Sequence, residues 1–195
     1  MKISMILAAA PTGVIGIGNK LPWHIPADLR RFKKLTGEHA VVMGRATADS
    51  LKALNVFPLP YRANWVVTGN PASYAAPGAK KYIWQGQVQY HDVNAWMTAP
   101  SLQSIISLAE SHADQYQREL ELFLIGGASI YEEAMATGIV DEIHLTRVLI
   151  DFAPHPDEVK VGFLGQLQED WELLSSETFP DHVYEHWIRK NEVGI

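Results

Sequence analysis

Apolar residues occur along the chain in short runs that predict alternating strands and helices. Residues 3–10 form a continuous apolar run of strand length, and a Pro-Thr-Gly turn separates this run from Val14-Ile15-Gly16. Three later strand-length runs each end in a glycine-containing turn; they are residues 40–45, 65–68 and 121–127. Helical patterns follow the first and the third of these runs. This order predicts an α/β protein.

The second half of the chain predicts a further helix, a strand and a terminal strand pair. Ser101 has the character of a helix N-cap, and apolar residues recur at helical spacing over 102–109. Residues 142–148 alternate as in a strand, which places His144, Thr146 and Val148 on one face and Ile143, Leu145 and Arg147 on the other. Residues 171–176 and 183–189 predict an antiparallel pair joined by a Pro-Asp turn.

Residues 71–100 differ from the rest of the chain in being rich in aromatic residues, namely Tyr74, Tyr82, Trp84, Tyr90 and Trp96. The simplest interpretation is an enlarged surface region with its own small hydrophobic cluster and a strand near 81–84. A surface that binds a partner is the alternative.

The first helix carries a carboxylate on its apolar face. Pro26 suits the first turn, and the helix is predicted from Ala27 to about Leu35. Asp28 falls on the same stripe as Phe32 and Leu35, and the cations cover the other side: Arg30, Arg31, Lys33 and Lys34. A buried charge is costly without a partner, so we infer that a ligand supplies the partner of Asp28. The alternative is an acid that only complements the helix dipole.

Composition and charge narrow the function. A chain of 195 residues has the size of one domain with a substantial core. The net charge of −6 argues against a nucleic-acid partner, since phosphate binding needs a basic face. The apolar runs are too short to span a membrane, and the first residues do not read as a signal peptide, so we expect a cytoplasmic protein. The absence of cysteine excludes disulfides.

Four ordered blocks make this chain resemble the dihydrofolate reductase family. The first consists of Val14-Ile15-Gly16, Asn19, Leu21-Pro22-Trp23 and Pro26-Ala27-Asp28-Leu29 followed by Phe32-Lys33. The others are Met43-Gly44-Arg45 with Thr47, Leu59-Pro60 with Arg62, and Leu124-Ile125-Gly126-Gly127 followed by Tyr131. The resemblance covers nearly the whole chain. It implies a single α/β domain over 1–195 with a central, mixed, mostly parallel eight-stranded sheet flanked by helices and a C-terminal antiparallel hairpin.

The resemblance implies an enzyme that reduces 7,8-dihydrofolate to tetrahydrofolate with NADPH, for one-carbon metabolism, and that works as a monomer on small molecules. Asp28 is then the acid that holds the pterin, and Thr146 bonds it directly or through water. The glycine-containing loop from Thr12 to Trp23, which includes Leu21, acts as a lid that excludes water. Arg62 grips a carboxylate of the glutamate tail. The remaining substrate contacts implied are Ile6, Leu7, Ala8, Phe32, Leu51, Leu59, Ile125 and Tyr131.

The cofactor blocks also have a physical basis. A strand that ends in Gly-Arg before a helix places N–H groups and a guanidinium where an anion could sit, and two glycines let the backbone approach a pyrophosphate. The resemblance implies these NADPH contacts: Ala8, Ile15, Gly16, Asn19, Gly44, Arg45, Thr47, Thr68, Gly126, Gly127, Ala128, Ser129, Ile130 and Tyr131. Since both ligands are anions and the chain is acidic, their site must be locally positive, and Arg45 and Arg62 are the candidates.

Two departures from the family pattern change the expectation. Ala46 and Ser129 stand where many bacterial members have a histidine and an arginine that help to grip the 2′-phosphate. We therefore predict weaker discrimination of NADPH over NADH, unless Lys80 or Lys81 compensates. The family's Gly-Asp-Thr-x-Phe-Pro segment is not legible after Asp151, and its replacement is expected somewhere in 152–163.

Three other interpretations were open. His182 and His186 are spaced like zinc ligands, but the pattern places no partner cluster beside them, so we expect no metal. The related reductase of riboflavin biosynthesis shares the fold and the glycine turn but lacks the Pro-Trp loop and the Asp28 helix. A binding protein without turnover does not need Asp28, Trp23, Arg62 and Thr146 together.

Overall fold

The computed structural model describes residues 1–74, 96–116 and 121–190, and only the backbone of 111–116. Within these residues the strands, numbered in chain order, are β1 (Lys2–Ala9), β2 (Val14–Ile17), β3 (Ala40–Gly44), β4 (Ala63–Val67), β5 (Met97–Ala99), β6 (Glu121–Leu124), β7 (Glu142–Val148), β8 (Glu158–Lys160), β9 (Trp171–Thr178) and β10 (His182–Arg189).

The helices in the same part of the chain are α1 (Pro26–Thr36), α2 (Arg45–Ala53), α3 (Pro71–Tyr74), α4 (Leu102–Tyr116), α5 (Ala128–Ala136) and α6 (Leu167–Asp170). A 3₁₀ turn spans Phe163–Gln166. The predicted N-cap is present, because the backbone N–H of Ser104 donates to Ser101 Oγ at 3.2 Å. None of the described helices is long and apolar enough to cross a membrane.

Eight of the described strands form one sheet in the order β5-β4-β3-β6-β1-β7-β10-β9. All neighbours are parallel except β10, which runs antiparallel to both β7 and β9. The predicted mostly parallel sheet with a C-terminal antiparallel pair is therefore confirmed. Strands β3 and β6 are neighbours, so the turns at their carboxyl ends, at Gly44 and Gly126, lie side by side.

The sheet separates two apolar clusters, because successive side chains of a strand point to opposite faces. On one face Met5, Leu7 and Ala9 of β1 join the larger cluster, which also contains apolar residues of α4 and α5. On the other face Ile6 joins a cluster with Val41, Met43 and Phe123, against which residues of α1 and α2 pack.

Several elements were not predicted. Strands β5 and β8 have three residues each, too few to show an alternating pattern. Strand β8 pairs antiparallel with β2 and forms a separate two-stranded sheet. The predicted strand near 81–84, and with it Tyr82, Trp84, Tyr90, Lys80 and Lys81, lies outside the described residues.

Candidate active site

The carboxylate of Asp28 is held by the sheet. Asp28 lies in the first turn of α1 and Thr146 lies on β7. The Thr146 hydroxyl donates to Asp28 Oδ1 at 2.6 Å, and this threonine is almost completely buried. A short hydrogen bond from a fixed hydroxyl to a charged oxygen is strong and directional. It orients the carboxylate and leaves the other oxygen, Oδ2, available to a ligand.

A tyrosine from α5 completes the polar surroundings of Asp28. The buried Tyr131 hydroxyl donates to the main-chain oxygen of Ile6 at 2.9 Å. Burial and, to a smaller extent, the negative charge of Asp28 raise the pKa of Tyr131 above its usual range, so the hydroxyl stays protonated and remains a donor. This bond ties the helix that follows the two glycines to the strand that borders the acid.

Most of the predicted apolar substrate contacts lie together. Ile6 and Leu59 belong to the cluster on the α1 side of the sheet, and the half-buried side chains of Phe32, Leu51 and Ile125 pack against it. Ala8 lies with Trp23 in a third cluster.

The side chain of Leu7 does not lie with the other apolar residues predicted to contact the substrate. Leu7 packs in the larger cluster on the opposite face of the sheet from Ile6. Strand alternation makes both neighbours of Ile6 point away from the substrate side, so Leu7 can offer a ligand only its main-chain atoms.

The helical pattern predicts that Arg31 lies on the outer side of the first helix, and this prediction is wrong. Arg31 is half-buried, and its guanidinium carbon lies 4.5 Å from the ring centre of Tyr184 on β10. Burial lowers the pKa of Arg31, and attraction to Asp28 opposes this effect. The protein therefore places one of its own cations near the acid, a contact that the sequence did not show.

Arg62 links the loop after α2 to the end of α1. Its Nε donates to Thr36 Oγ1 at 2.9 Å and its Nη1 donates to the Pro60 oxygen at 2.9 Å; Nη2 lies 3.3 Å from the Lys33 oxygen. The guanidinium thus meets the last carbonyls of α1, where the helix dipole favours a cation. These contacts fix the plane of the fork. Asn64, which the sequence did not single out, holds the same loop by bonding both main-chain polar atoms of Leu59 at 2.9 Å.

The predicted lid is attached to the rest of the chain by backbone bonds. Besides the pairing of β2 with β8, Val161 donates to the Gly13 oxygen at 3.0 Å and Gly18 donates to the Asp157 oxygen at 3.2 Å. Strand β8 lies within 152–163, where the sequence predicts the replacement of the family's Gly-Asp-Thr-x-Phe-Pro segment. On the other side of the lid, the Ser50 hydroxyl of α2 donates to the Asn19 oxygen at 2.7 Å.

Trp23 closes the lid over the interior, whereas Leu21 is 52% exposed. The Trp23 ring lies 6.0 Å from the Phe152 ring, centre to centre, and its buried Nε1 has no hydrogen-bond partner among the residues that the structure describes. A buried indole N–H is normally satisfied, so this donor fits a site that receives a polar group.

A second pocket lies where β3, β4 and β6 end. Its volume is about 560 Å³, and five of the predicted cofactor residues line it: Gly44, Arg45, Thr68, Ser129 and Ile130. Helices α2 and α5, which are nine residues long each, begin at this pocket. Helix N-termini and an arginine make it favourable for an anion. Ile15, Gly16 and Asn19 are not among its lining residues; they lie on β2 and in the turn after it.

The two glycines between β6 and α5 allow close backbone approach. Gly126 has φ +115°, and a Cβ there would lie 3.1 Å from Tyr131 Oη and 3.4 Å from Thr47 Oγ1. A Cβ on Gly127 would also lie 3.4 Å from Thr47 Oγ1. Across the cleft, the Gly44 N–H donates to the Gly126 oxygen at 2.6 Å. Glycine at these two positions therefore lets the turn pack closely against Tyr131 and Thr47, and a side chain at either position would crowd them.

A histidine cluster under α1 was not predicted. His186 Nε2 lies 2.8 Å and His144 Nε2 lies 3.8 Å from Glu142 Oε2, and the two imidazoles stack at 4.4 Å. Burial lowers the pKa of His144 to about 4. The Lys2 ammonium binds the other oxygen of Glu142 at 2.9 Å. The prediction that no partner cluster lies beside His186 is therefore wrong, because ligand atoms of Glu142, His144 and His186 lie within 4.8 Å of one another. Since the Lys2 cation already neutralises the carboxylate, we interpret the cluster as a polar network rather than a metal site. His182, by contrast, bonds Asp181 at 2.6 Å.

Comparison with known proteins agrees with this geometry. The family model described as dihydrofolate reductase matches residues 2–188. The chain belongs to the dihydrofolate reductase family. Dihydrofolate reductase type 3 of Salmonella typhimurium is 33% identical over 183 residues, covering 92% of this chain and 89% of the relative. Dihydrofolate reductase of Staphylococcus aureus is 30% identical over 198 residues, covering 97% of this chain and 99% of the relative.

A longer relative and a solved structure are also similar to this chain. A bifunctional dihydrofolate reductase-thymidylate synthase of Paramecium tetraurelia is 32% identical over 188 residues, and the chain spans 35% of its length. A solved structure of dihydrofolate reductase from Enterococcus faecalis, complexed with NADP(H) and RAB-propyl, superposes with a TM-score of 0.66 at 25% identity, covering 97% of both chains. These matches favour this family over the riboflavin-pathway reductase considered above.

Proposed function

We propose that this chain reduces 7,8-dihydrofolate to tetrahydrofolate with NADPH and thereby serves one-carbon metabolism. The observation that carries the proposal is the oriented carboxylate: Asp28, on an apolar helix face, accepts a hydrogen bond of 2.6 Å from the Thr146 hydroxyl. A folate ring has a fused amide and amino edge that such a carboxylate binds with paired hydrogen bonds.

On the substrate side, each residue has a defined task. Asp28 holds the 2-amino group and a ring N–H of the pterin and stabilises the positive charge that appears when the ring nitrogen is protonated by water. Phe32, Leu51 and Leu59 hold the remainder of the substrate by apolar contact. Arg62, with its plane fixed by carbonyl oxygens, pairs with a carboxylate of the glutamate tail.

On the cofactor side, the chain holds and shields the dinucleotide. Gly44, Arg45 and Thr47 bind phosphates at the start of α2, and Gly126 and Gly127 let the backbone of β6 approach the pyrophosphate. NADPH supplies the hydride. The lid around Trp23 excludes water from the reacting centre, which strengthens the electrostatic contacts inside.

The pocket also supports weaker cofactor discrimination than is usual in bacterial relatives. Ser129 lines it and is too short and neutral to pair with a 2′-phosphate, and Arg45 is the cation among its lining residues. Discrimination of NADPH over NADH therefore depends on Arg45, with Lys80 or Lys81 as the possible compensating cations.

The chain is a single domain, since one sheet takes strands from Lys2 to Arg189. It works in the cytoplasm as a monomer on small-molecule ligands and, with its net charge of −6, not on nucleic acid. Light scattering coupled to size-exclusion chromatography measures the molar mass in solution, which should be that of one chain.

The test of the function is oxidation of NADPH on addition of dihydrofolate, with Asp28→Asn beside the wild type. We expect wild-type turnover and a fall in kcat/KM of about a hundredfold or more in the variant, because the amide cannot stabilise the protonated pterin. Glu38→Gln, an exposed carboxylate past the end of α1, is the matched control and should retain full activity. Cofactor binding without wild-type turnover would contradict the proposal and favour a non-catalytic protein.

A further inference from the structure

Tyr74 and Trp96, which lie within the aromatic-rich region 71–100, pack against α2 next to the cofactor pocket. The Trp96 Nε1 donates to the Tyr74 main-chain oxygen at 2.8 Å. The Lys52 ammonium lies 3.7 Å from the centre of the Tyr74 ring and 4.5 Å from that of Trp96. These contacts leave the Tyr74 side chain 9% exposed and in one orientation.

The Tyr74 hydroxyl points at a carboxylate of α2 that faces the pocket arginine. It donates to Asp49 Oδ1 at 2.6 Å, and Asp49 Oδ2 lies 3.4 Å from Arg45 Nε. The guanidinium carbon of Arg45 also lies 5.6 Å from the centre of the Tyr74 ring. One buried tyrosine therefore contacts Arg45 in two ways, through its ring and through the carboxylate.

Arg45 and Asp49 alone would form a weak pair. They are one turn apart on α2, and their side chains are 61% and 46% exposed. Such pairs contribute little and hold two long side chains poorly. A short hydrogen bond from a buried hydroxyl fixes the carboxylate, so the carboxylate holds Arg45 in one orientation.

We propose that Tyr74 and Asp49 are positioning residues for cofactor binding, which orient Arg45 toward the cofactor phosphates. The inference rests on the proposed role of Arg45 in phosphate binding. It gives the aromatic-rich region a part in the reaction, because α3 supplies the hydroxyl. The Tyr74 ring belongs to the apolar cluster that also contains Ile6 and Leu59, but its hydroxyl is bound to Asp49. Removing the hydroxyl alone keeps the ring in place, so the effect falls on KM for NADPH and not on kcat.

Tyr74→Phe is the direct test, since it removes only the hydroxyl. We expect KM and Kd for NADPH to rise by about threefold to tenfold with kcat unchanged. The Kd comes from quenching of tryptophan fluorescence and needs no turnover. Tyr61→Phe, in which a 73% exposed tyrosine loses its hydroxyl, is the matched control. An unchanged NADPH affinity in a folded Tyr74→Phe protein overturns the inference.

Arg45→Met separates this inference from the proposed function. If Arg45→Met leaves the Kd for NADPH unchanged, the assignment of Arg45 to the phosphates is wrong. If Arg45→Met weakens binding and Tyr74→Phe does not, only the positioning role is wrong. A third variant combines Tyr74→Phe with Arg45→Met. If its Kd for NADPH equals that of Arg45→Met alone, the inference is supported, because Tyr74 acts through Arg45. Additive effects overturn it.

Asp49→Ala is an exposed substitution that tests the same path and leaves every ring of the aromatic cluster in place. If Asp49 orients Arg45, its removal raises Kd for NADPH in the same range as Tyr74→Phe. If Asp49 acts only as a negative charge near the phosphates, its removal lowers Kd. A fall or no change overturns the inference.

Discussion

The two halves of the site are each built around an aspartate that accepts a 2.6 Å hydrogen bond from a hydroxyl on another element. On the substrate side Thr146 of β7 binds Asp28, and on the cofactor side Tyr74 of α3 binds Asp49. The difference lies in what each acid faces. Asp28 is half-buried beside an apolar cluster and faces the ligand site, whereas Asp49 is exposed and meets an arginine.

This comparison shows how the same local geometry has different consequences. In a poorly solvated site, a fixed carboxylate acts strongly on a bound ligand, because little water screens it. At an exposed helix turn, water and salt screen the charge, so the carboxylate can do little more than orient its neighbour. Substitutions on the substrate side should therefore have larger effects than equivalent substitutions on the cofactor side.

After Asp28→Asn, the largest effect should come from Thr146→Val, which removes the hydroxyl at nearly constant volume. Asp28 then loses its fixed partner, and we expect kcat/KM for dihydrofolate to fall about tenfold to a hundredfold. Steady-state kinetics measure this. If Thr146→Val loses less kcat/KM than Tyr74→Phe does, the substrate side is not the more sensitive half of the site. Thr137→Val, on an exposed helix end, serves as the control.

The next effect concerns the buried network below α1. The pKa of His144 is about 4 in the folded protein and about 6.5 when unfolded. As pH falls from 6.5 to 4 the unfolded chain binds a proton that the folded chain does not, so stability is lost over this window. We expect His144→Phe to reduce the loss between pH 7 and pH 4 by about 2 kcal/mol.

Urea unfolding at several pH values measures that loss, and the exposed His24→Gln is the control. An equal loss in wild type and His144→Phe would contradict the assignment of this pH dependence to His144.

A smaller effect should come from Ser129→Arg on the cofactor side. The new guanidinium sits at the first turn of α5 in the pocket that Arg45 lines, and should pair with the 2′-phosphate. We expect the ratio of kcat/KM for NADPH to that for NADH to rise about tenfold. Ser129→Gln, long but neutral, should leave the ratio near its wild-type value. A ratio above a thousand in the wild type, unchanged in Lys80→Ala/Lys81→Ala, would contradict weak discrimination.

The smallest effect should come from Lys52→Met, which keeps the stem and removes the ammonium among three rings. Besides Tyr74 and Trp96, the ring of Phe57 lies 5.2 Å from the ammonium. A cation above these rings contributes about 0.5–1 kcal/mol, so Tm should fall by about 1–4 °C. Thermal unfolding measures it, with the exposed Lys34→Met for comparison. A fall above that range would show that the cluster is more than a surface contact.

Most of the sheet was predictable because its strands carry local signals. The predicted bounds of β7 agree with the structure. Those of β1 are shifted by one residue at both ends, and those of β3 differ by one residue at its carboxyl end. Strand β8 was not predictable, because its three residues gain their structure from pairing with β2, across more than 140 residues of chain.

The candidate site divides in the same way. Asp28 could be found from the sequence because a carboxylate on an apolar helix stripe is a local anomaly, and Gly126 because its turn requires a positive φ that favours glycine. The polar network around these residues was not visible. Arg31, His144 and His186 are ordinary polar residues in their own segments, and only strand register brings the two histidines opposite one another.

The sequence by itself determined the succession of strands and helices, the acid and the glycine turns, because each depends on side chains a few residues apart. The tertiary structure alone decided which face Leu7 occupies, where Arg31 points and that Tyr74 contacts Asp49. Those outcomes depend on the packing of segments that are distant along the chain. The energy of such contacts comes from burial and from partners that no local pattern contains.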